Sequence, residues 1–427
     1  MHKTKKRILL IGGGFAGLNF ARQLYRSRDY EVTLVDKNNY NYFTPLLYQV
    51  ATSFLEPASI SYPFRKLLRK KSVKFRMGAV VKADPVQHTV TLNDGAVLAY
   101  DYLVFAAGTK TNFFENESAR RHAFPLKGID DALFMRNELI RGLERASIET
   151  NPVLRKRMLT TVIAGGGPTG VEMAGMLAEL RKFMLRKDYP EIDPQETAIY
   201  IVDASPNLLA PMSDKSHERA YRTLEKLGII IKLNTRVLKF EYGQVHLSTG
   251  EVIGAHSLIW ATGVTAEVFD GVAPQALGRG NRMITDAVGR VQGYEDVFAI
   301  GDISIQLTDK AFPNGHPQLA QPAIQQGKTL GRNFKRLARG KPMQPFKYFD
   351  RGEMAIIGRR TAMADLFKHR LHVGGILGLF SWLFIHIASL VNYNNMIRTF
   401  YSWLVAYSTR DQVLRMIFRS ESQDHRS

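Results

Sequence analysis

The chain passes twice through one local pattern, an apolar strand, a glycine-rich turn and a helix, first near residue 10 and again near residue 165. The first copy runs KRILLI into Gly12, Gly13, Gly14, Phe15, Ala16 and Gly17; the second runs LTTVIA into Gly165, Gly166, Gly167, Pro168, Thr169 and Gly170. The spacing is GxGxxG in both. A lone GxGxxG is a weak signal, but strand and helix flanks give each residue a mechanical reason. The first glycine permits the tight turn, the second lets the backbone approach a pyrophosphate, and the third lets the helix pack closely on the strand. The helix N-terminus then offers free N–H donors to phosphate.

Each unit continues into a strand ending in an acid. EVTLVD places Asp36 nineteen residues after Gly17, where a carboxylate can accept hydrogen bonds from ribose hydroxyls, with Lys37 beside it as a further nucleotide contact. IYIVD brings Asp203 to the same place in the second unit, later in the chain because residues 186–196 (RKDYPEIDPQE) read as an insertion. An acid at this point favours the 2′-hydroxyl of NAD and repels the 2′-phosphate of NADP. Two adjacent dinucleotide units make chemical sense if two nucleotides must meet, one held as an electron store and one exchanging as a hydride donor. FAD with NADH is the natural pair.

A length of 427 residues exceeds what one hydrophobic core usually covers, so two or three domains are expected. The chain has no cysteine, which removes disulfides, thiolate metal sites and thiol redox chemistry together. Lysine and arginine number 58 against 39 acids, a formal charge of +19 that suits an anionic partner such as a phospholipid surface or cofactor phosphates. Basic runs at Lys5, Lys6 and Arg7 and at Arg65, Lys66, Arg69, Lys70 and Lys71 fit a solvated face or an anionic leaflet equally well. No nucleic-acid fold accompanies the charge, and a nucleic-acid partner is not expected. The apolar run after the basic start is too short for a secretory signal, so the chain reads as cytoplasmic.

Three further segments, LVFAAGT (residues 103–109), LIWATG (258–263) and VFAIGD (297–302), resemble the ATG-type strand ends and terminal GD motif of the two-dinucleotide-binding-domain flavoproteins. Within that superfamily, FTPLLYQVA (43–51), AQPAIQ (320–325) and MAIIGR (354–359) are similar to type II NADH:quinone oxidoreductases, the second segment matching an AQxAxQ quinone-site motif. The resemblance spans nearly the whole chain. It implies an α/β fold with two Rossmann-like domains, a split FAD domain (1–112 and 287–370), an inserted NADH domain (113–286) and C-terminal amphipathic helices in a membrane-associating region (371–427). It assigns Gly12, Gly14, Phe15, Ala16, Gly17, Asp36, Lys37, Pro45, Ala107, Gly108, Gly301, Asp302, Ala320 and Gln321 to FAD. Gly165, Gly167, Pro168, Thr169, Gly170, Glu172, Asp203, Thr262 and Gly263 fall to NADH.

By the same resemblance Asp302 bonds the ribityl and pyrophosphate region, Pro45 lies against the isoalloxazine, and Gln321 and Gln325 line its quinone side. Glu172 matches a family carboxylate near nicotinamide and flavin, with the catalytic role of orienting nicotinamide or relaying protons to quinone. From position alone, an acid in the first turn of a helix gains from the helix dipole without any chemistry. Gln321 and Gln325 likewise share a helix face that solvent alone would explain. The implied reaction is NADH + H⁺ + quinone → NAD⁺ + quinol without proton pumping, and no metal is required. A homodimer is implied by resemblance only.

Residues 374–391 (GGILGLFSWLFIHIASLV) carry no lysine, arginine or acid, at the lower edge of length for a membrane span. His386 interrupts the run and reads as a core or interfacial residue ahead of a proton donor. Residues 397–418 put Ile397, Phe400, Tyr401 and Leu404 on one helical face, with Arg398, Arg410, Arg415 and Arg419 among the aromatics, a mixture suited to a lipid interface. A buried core or dimerisation helix remains the other reading of 374–391. VNYNN (391–395) departs from the family's GFRN-like run. The expected location is the cytoplasmic face of the cell membrane, peripheral or monotopic. Two rival functions stay open, an FAD-dependent NADH reductase of a soluble electron carrier and an NADH-sensing flavoprotein acting through partner binding. Asp203 predicts a strong preference for NADH over NADPH in steady-state kinetics, and equal turnover of the two would overturn its assignment to the adenosine ribose.

Overall fold

The computed structural model describes residues 4–367, 371–409 and 414–417. The chain divides into two compact units, one holding the chain up to Tyr42 with Tyr62–Lys110 and Val264–Asp350, the other holding Phe43–Ser61, Thr111–Gly263 and the chain from Arg351 onward. This division differs from the sequence-based boundaries in three ways. The first unit resumes at Val264 and ends at Asp350, the segment Phe43–Ser61 leaves it, and the C-terminal helices join the second unit instead of standing alone.

The first unit is built on a five-stranded parallel sheet ordered Val297–Ala299, Tyr102–Phe105, Lys6–Ile11, Tyr30–Asp36 and Val73–Met77. Its strands are near-continuous apolar runs, as expected where both faces of a parallel sheet are covered. Lys6–Ile11 sits at the centre, and the strand order reverses around it, leaving a crevice at its carboxyl end. Helix Phe15–Leu24 leaves that end and packs on helix Ala320–Leu337. Contact is close because Gly327 and Gly331 face it: a Cβ on Gly327 would lie 2.2 Å from the Ala16 carbonyl oxygen.

The second unit repeats the plan with Phe124–Pro125, Ser257–Trp260, Thr160–Ala164, Ala198–Val202 and Ile230–Lys232, again parallel and centred on the strand that precedes the glycines. Helix Pro168–Asp188 runs 21 residues and takes up the start of the segment read as an insertion. An antiparallel sheet of Gly352–Ile357, Thr361–Leu366 and Leu371–Gly374 covers it, followed by helices Gly375–Ala388 and Tyr393–Thr409. Gly175 makes the approach possible, since a Cβ there would meet the Gly358 amide nitrogen at 2.4 Å.

The apolar run expected over residues 374–391 is a helix of only 14 residues. At 1.5 Å per residue it spans about 21 Å, short of a hydrocarbon core of about 30 Å. Among the described residues no helix is long and apolar enough to cross a membrane. The next helix starts at Tyr393, ahead of Ile397, and Arg410, Arg419 and Phe418 lie outside the described residues.

The Gly327 contact generates a test within the first unit. Gly327→Val forces a side chain into backbone atoms that cannot swing aside, and overpacking of this kind costs about 1–3 kcal/mol or more. The expected result is a lowered melting temperature; a variant as stable as the native chain would show that the helices separate freely.

Candidate active site

Each glycine loop is shaped by contacts that only glycine tolerates. Gly12 has φ +99° and Gly165 φ +114°, a region other residues rarely adopt, and a Cβ on either would lie 2.4 Å from the carbonyl oxygen of Ala106 or Ala261. A Cβ on Gly17 would stand 1.9 Å from the Gly12 oxygen, and one on Gly170 1.8 Å from the Gly165 oxygen. The other side of each loop is open: the Cβ directions of Gly14, Gly108 and Gly167 meet nothing within 4 Å. Backbone is thus pressed against its own strand on one side and bare on the other, the cradle a pyrophosphate requires. Helices Phe15–Leu24 and Pro168–Asp188 start there with Gly14 and Gly167 as N-caps and no side-chain cap, so their first amides are uncommitted to side chains. Both loops fit the phosphates of a dinucleotide. Phe15 opens the first helix with Ala16 buried behind it, and Pro168 and Thr169 open the second at the surface.

The acids do more than the sequence suggested. Asp36 Oδ2 accepts the Gly13 amide at 2.7 Å and its Oδ1 the Asn38 amide at 2.8 Å, while Asp203 accepts from the amides of Gly166 and Ser205. Each carboxylate therefore ties its loop closed and keeps lone pairs for ribose hydroxyls. Burial pushes the Asp36 carboxyl up, partly offset by those amides and by exposed Lys37. Buried Asn41 adds a bond from Nδ2 to the Gly13 carbonyl at 2.8 Å, a residue sequence reasoning missed because no period or motif marks it.

Around the first loop the fold gathers Ala107, Gly108 and Gly301. Gly12 abuts Ala107, and Gly301, at φ +77°, has its Cβ direction 2.9 Å from Ala16. The Gly301 amide donates to Gln326 Oε1 at 2.6 Å, and Gln318 Nε2 to the Asp302 carbonyl, so Asp302 sits on a held turn. Gln326, next to the motif, was also missed. Ala320 and Gln321 begin the helix, with Pro322 in its first turn. Gln325 is engaged at both ends by the Phe349 backbone, donating at 2.9 Å and accepting at 3.0 Å, which commits its amide to holding that strand of chain. Around the second loop lie Ala261 and Thr262, with Asp203 against Gly166, while Gly263 faces the Phe114 ring. Pro45 opens a short 3₁₀ turn in the segment Phe43–Ser61.

Glu172 is the sharpest feature of the second unit. It is the fifth residue of its helix and not in the first turn, so the dipole argument made from sequence does not govern it. Burial does. With 7 % exposure its carboxyl is pushed from the ordinary 4.5 to about 8, against the opposing pull of the Ile356 amide, hydrogen-bonded at 3.3 Å, and of the neighbouring Trp382 indole. His386 stacks on Trp382 with centroids 3.9 Å apart and contacts the Trp382 carbonyl through Nδ1 at 2.8 Å. A carbonyl only accepts, so Nδ1 carries the proton; burial lowers the ring's pKa to about 4 and keeps it neutral.

A profile of the pyridine nucleotide-disulphide oxidoreductases matches residues 6–327. The type II NADH:quinone oxidoreductase NdhA of Mycobacterium tuberculosis is 34 % identical over 95 % of this chain and 88 % of its own length. The chain belongs to the type II NADH:quinone oxidoreductase family. A Staphylococcus aureus type II NADH:quinone oxidoreductase is 29 % identical over 86 % of this chain and 91 % of that one. The fold is shared with NDH2 from Plasmodium falciparum in complex with NADH, at TM-score 0.87 and 21 % identity over 97 % of this chain and 100 % of that one. It is shared also with the sulfide:quinone oxidoreductase of Aquifex aeolicus, at TM-score 0.73 and 20 % identity over 94 % and 95 %. The broader family takes its name from disulphide chemistry, which a cysteine-free chain cannot perform.

The raised carboxyl of Glu172 has a cost with a definite sign. A group whose folded pKa lies above its unfolded one favours folding at low pH, and that contribution is lost as pH rises from about 4.5 through about 8. Glu172→Gln, uncharged at every pH, is expected to melt higher than the native chain above pH 8 and to lose the difference below pH 5. Parallel melting curves across this range would show that the carboxyl is solvated.

Proposed function

We propose that the chain oxidises NADH and reduces a membrane quinone by two electrons, with FAD as its redox group and no proton pumping. FAD supplies a flavin that accepts a hydride from nicotinamide and returns two electrons to an acceptor. The first unit's loop of Gly12, Gly14 and Gly17 binds the FAD pyrophosphate, Asp36 its adenosine ribose, and the turn at Gly301 and Asp302 its ribityl end. Ala107, Gly108, Ala320 and Gln321 complete the flavin surroundings in that unit, and the family resemblance alone assigns Pro45 to the flavin. Gly165, Gly167 and Gly170 with Pro168 and Thr169 bind the NADH phosphates, Asp203 the ribose, and Thr262 and Gly263 the nicotinamide end. Gln321 and Gln325 face the quinone side, Gln325 through the backbone it orders at Phe349.

One observation carries the choice of acceptor: a buried carboxyl that stays protonated up to about pH 8. A quinone takes up protons with its electrons, whereas a one-electron protein carrier takes none, so a stored proton has a use only with the former. Glu172 releases its proton as quinone is reduced and regains one from water. Reoxidation of the enzyme by quinone accordingly slows as pH rises through about 8.

The C-terminal pair supports docking on a membrane surface. Ile376, Leu377, Phe380 and Phe384 are exposed on the first helix, Phe384 at 73 %, and Tyr393, Ile397, Phe400, Tyr401 and Leu404 on the second. Monomeric soluble proteins rarely leave so many large apolar groups bare on neighbouring turns, and such a face suits the interfacial layer. With basic residues elsewhere on the chain, it favours the anionic cytoplasmic leaflet. A homodimer is compatible with the same reading. The soluble-carrier and sensor alternatives give this face no work.

The test is NADH oxidation by detergent-purified protein with a short-chain quinone, beside the variant Phe380→Ser/Phe384→Ser/Leu404→Ser. These side chains are exposed, so the variant keeps the core that truncation would remove. Rapid quinone-dependent turnover in both, with liposome binding lost only in the variant, is the expected result. Flavin that NADH reduces and quinone leaves reduced would overturn the assignment.

A further inference from the structure

A groove of about 700 Å³ opens on the second unit, all of its lining drawn from Thr111–Gly263. Its size is that of a small-molecule site. Arg157, the next-to-last residue of helix Pro152–Met158, and His256 line it. Strands Thr160–Ala164 and Ser257–Trp260 begin just beyond these two residues, which puts them at the amino ends of those strands. The glycine loop assigned to NADH leaves the carboxyl end at Ala164, about 16 Å away along the strand.

The lining is rich in rings, and most of its charges are already spent. Phe124 meets Phe134 edge-on, and Phe113 stacks on Trp260. Arg120 pairs with Glu117 at 3.1 Å and covers the Phe113 ring. Asp131 accepts the amides of Lys127 and Gly128, both at 2.9 Å, and Glu241 pairs with Lys239 at 2.6 Å. His122 turns Nδ1 to the Ser118 carbonyl at 3.0 Å, and burial lowers the pKa of His256, which keeps that ring neutral. The guanidiniums of Arg121 and Arg157 and the carboxylate of Asp130 remain, with no hydrogen-bond or ion-pair partner among the described residues. Two cations beside one anion suit a ligand with a single negative charge and a donor for Asp130.

Arg157 is held in place by the hairpin of Val237–Glu241 and Gln244–Leu247. A Cβ on Gly243 would stand 2.1 Å from its Nη2, so only glycine lets the guanidinium lie there. Tyr242 and Gly243 make the two-residue turn, with φ +51° and +66°. Asn, Asp or Gly is favoured at the first of these places, and a bulky side chain there is strained. The strain leaves the tyrosine on the groove with 88 % of its surface exposed. A ring that can stack, next to a fixed guanidinium that can bond a carboxylate, matches an aromatic acid. We propose that this groove is a second ligand site, distinct from the nucleotide loop of the same unit, which binds a planar aromatic carboxylate carrying a hydroxyl or amino donor. Arg157 and Arg121 take the carboxylate, the rings take the aromatic plane, and Asp130 accepts from the donor.

The experiment titrates the FAD-loaded native protein with para-hydroxybenzoate and with its neutral analogue para-hydroxybenzamide, reading binding by calorimetry with and without saturating NAD⁺. Saturable binding of the acid at about 1 mM or tighter, unchanged by NAD⁺, is the expected result. The amide and the variant Arg157→Gln each weaken it by about tenfold or more, the size of a lost hydrogen bond to a charged group. Arg121→Gln weakens it in the same direction. Flavin reduction by NADH is unchanged in both variants, since neither residue lies at the nucleotide loop. Melting temperature reports folding, and if Arg157→Gln does not fold, exposed Arg121→Gln and the amide decide the matter. No saturable binding, binding that NAD⁺ displaces, or an acid held equally well by native protein and variants overturns the proposal.

Discussion

The carbonyl oxygen of Gly12 occupies the place a side chain on Gly17 would need, and Gly165 stands in the same relation to Gly170. Everything at the two nucleotide sites depends on that contact. It seats the helix so close to its strand that the loop between them must turn through a positive φ and leave its outer amides facing open space. The acid at the end of the next strand locks the arrangement by bonding the second glycine's amide, Asp36 to Gly13 and Asp203 to Gly166. A carboxylate assigned from sequence to ribose therefore has a prior structural task. Its position at the loop follows from backbone geometry before any ligand is considered.

Much of this was legible in the sequence because close approach leaves a mark that survives in one dimension. Glycine is demanded where a Cβ has no room, and the spacing of those demands is the motif. Apolar strands and the later strand ends followed for the same reason, as each must be buried between helices. Other features left no such mark. Asn41 and Gln326 hold the loop and the Gly301 turn by side-chain bonds to backbone, and any polar residue of the right reach would look the same in a string of letters. Glu172 was placed in a first turn and weighed against a helix dipole, whereas its environment is made by Ile356 and Trp382 from segments far along the chain. Burial of that kind is a property of the fold and not of a neighbourhood in sequence.

Helix Tyr393–Thr409 buries part of its polar complement and exposes much of its apolar one. In this helix several hydrogen-bonding side chains turn inward: Asn395 Nδ2 donates to the carbonyls of Ala58, Ser59 and Ser61 within 3.0 Å, Thr399 bonds Ser59, and Trp403 bonds Gln49. Ile397, Phe400, Tyr401 and Leu404 turn outward. In water this is costly, since buried polar groups return at most about 1 kcal/mol each while exposed rings return nothing. Next to lipid the balance reverses, because the outward face is then buried as well. Asn395 comes from the VNYNN segment, and its three bonds anchor this helix to the 43–61 segment.

That anchoring holds the helix on the short helix Leu47–Ala51, which packs on the helix carrying Glu172. Glu172 lies in the protein interior with its carboxyl raised from the ordinary 4.5 to about 8, an excess that burial supplies and that the Ile356 amide and the nearby Trp382 indole only reduce. Such a group is poised near neutral pH, whereas His386 and Tyr407 have been moved out of that range by the same burial, one downward and one upward. Desolvation sorts the three by the charge each would carry: it keeps an imidazole, a phenol and a carboxylic acid all neutral. Of these, the carboxylic acid alone has both a proton to give and a pKa close enough to neutrality to recover it. The cysteine-free chain offers no thiol to share the work. The same low-dielectric surroundings that make the ionised carboxylate expensive make any donor aimed at it count for more.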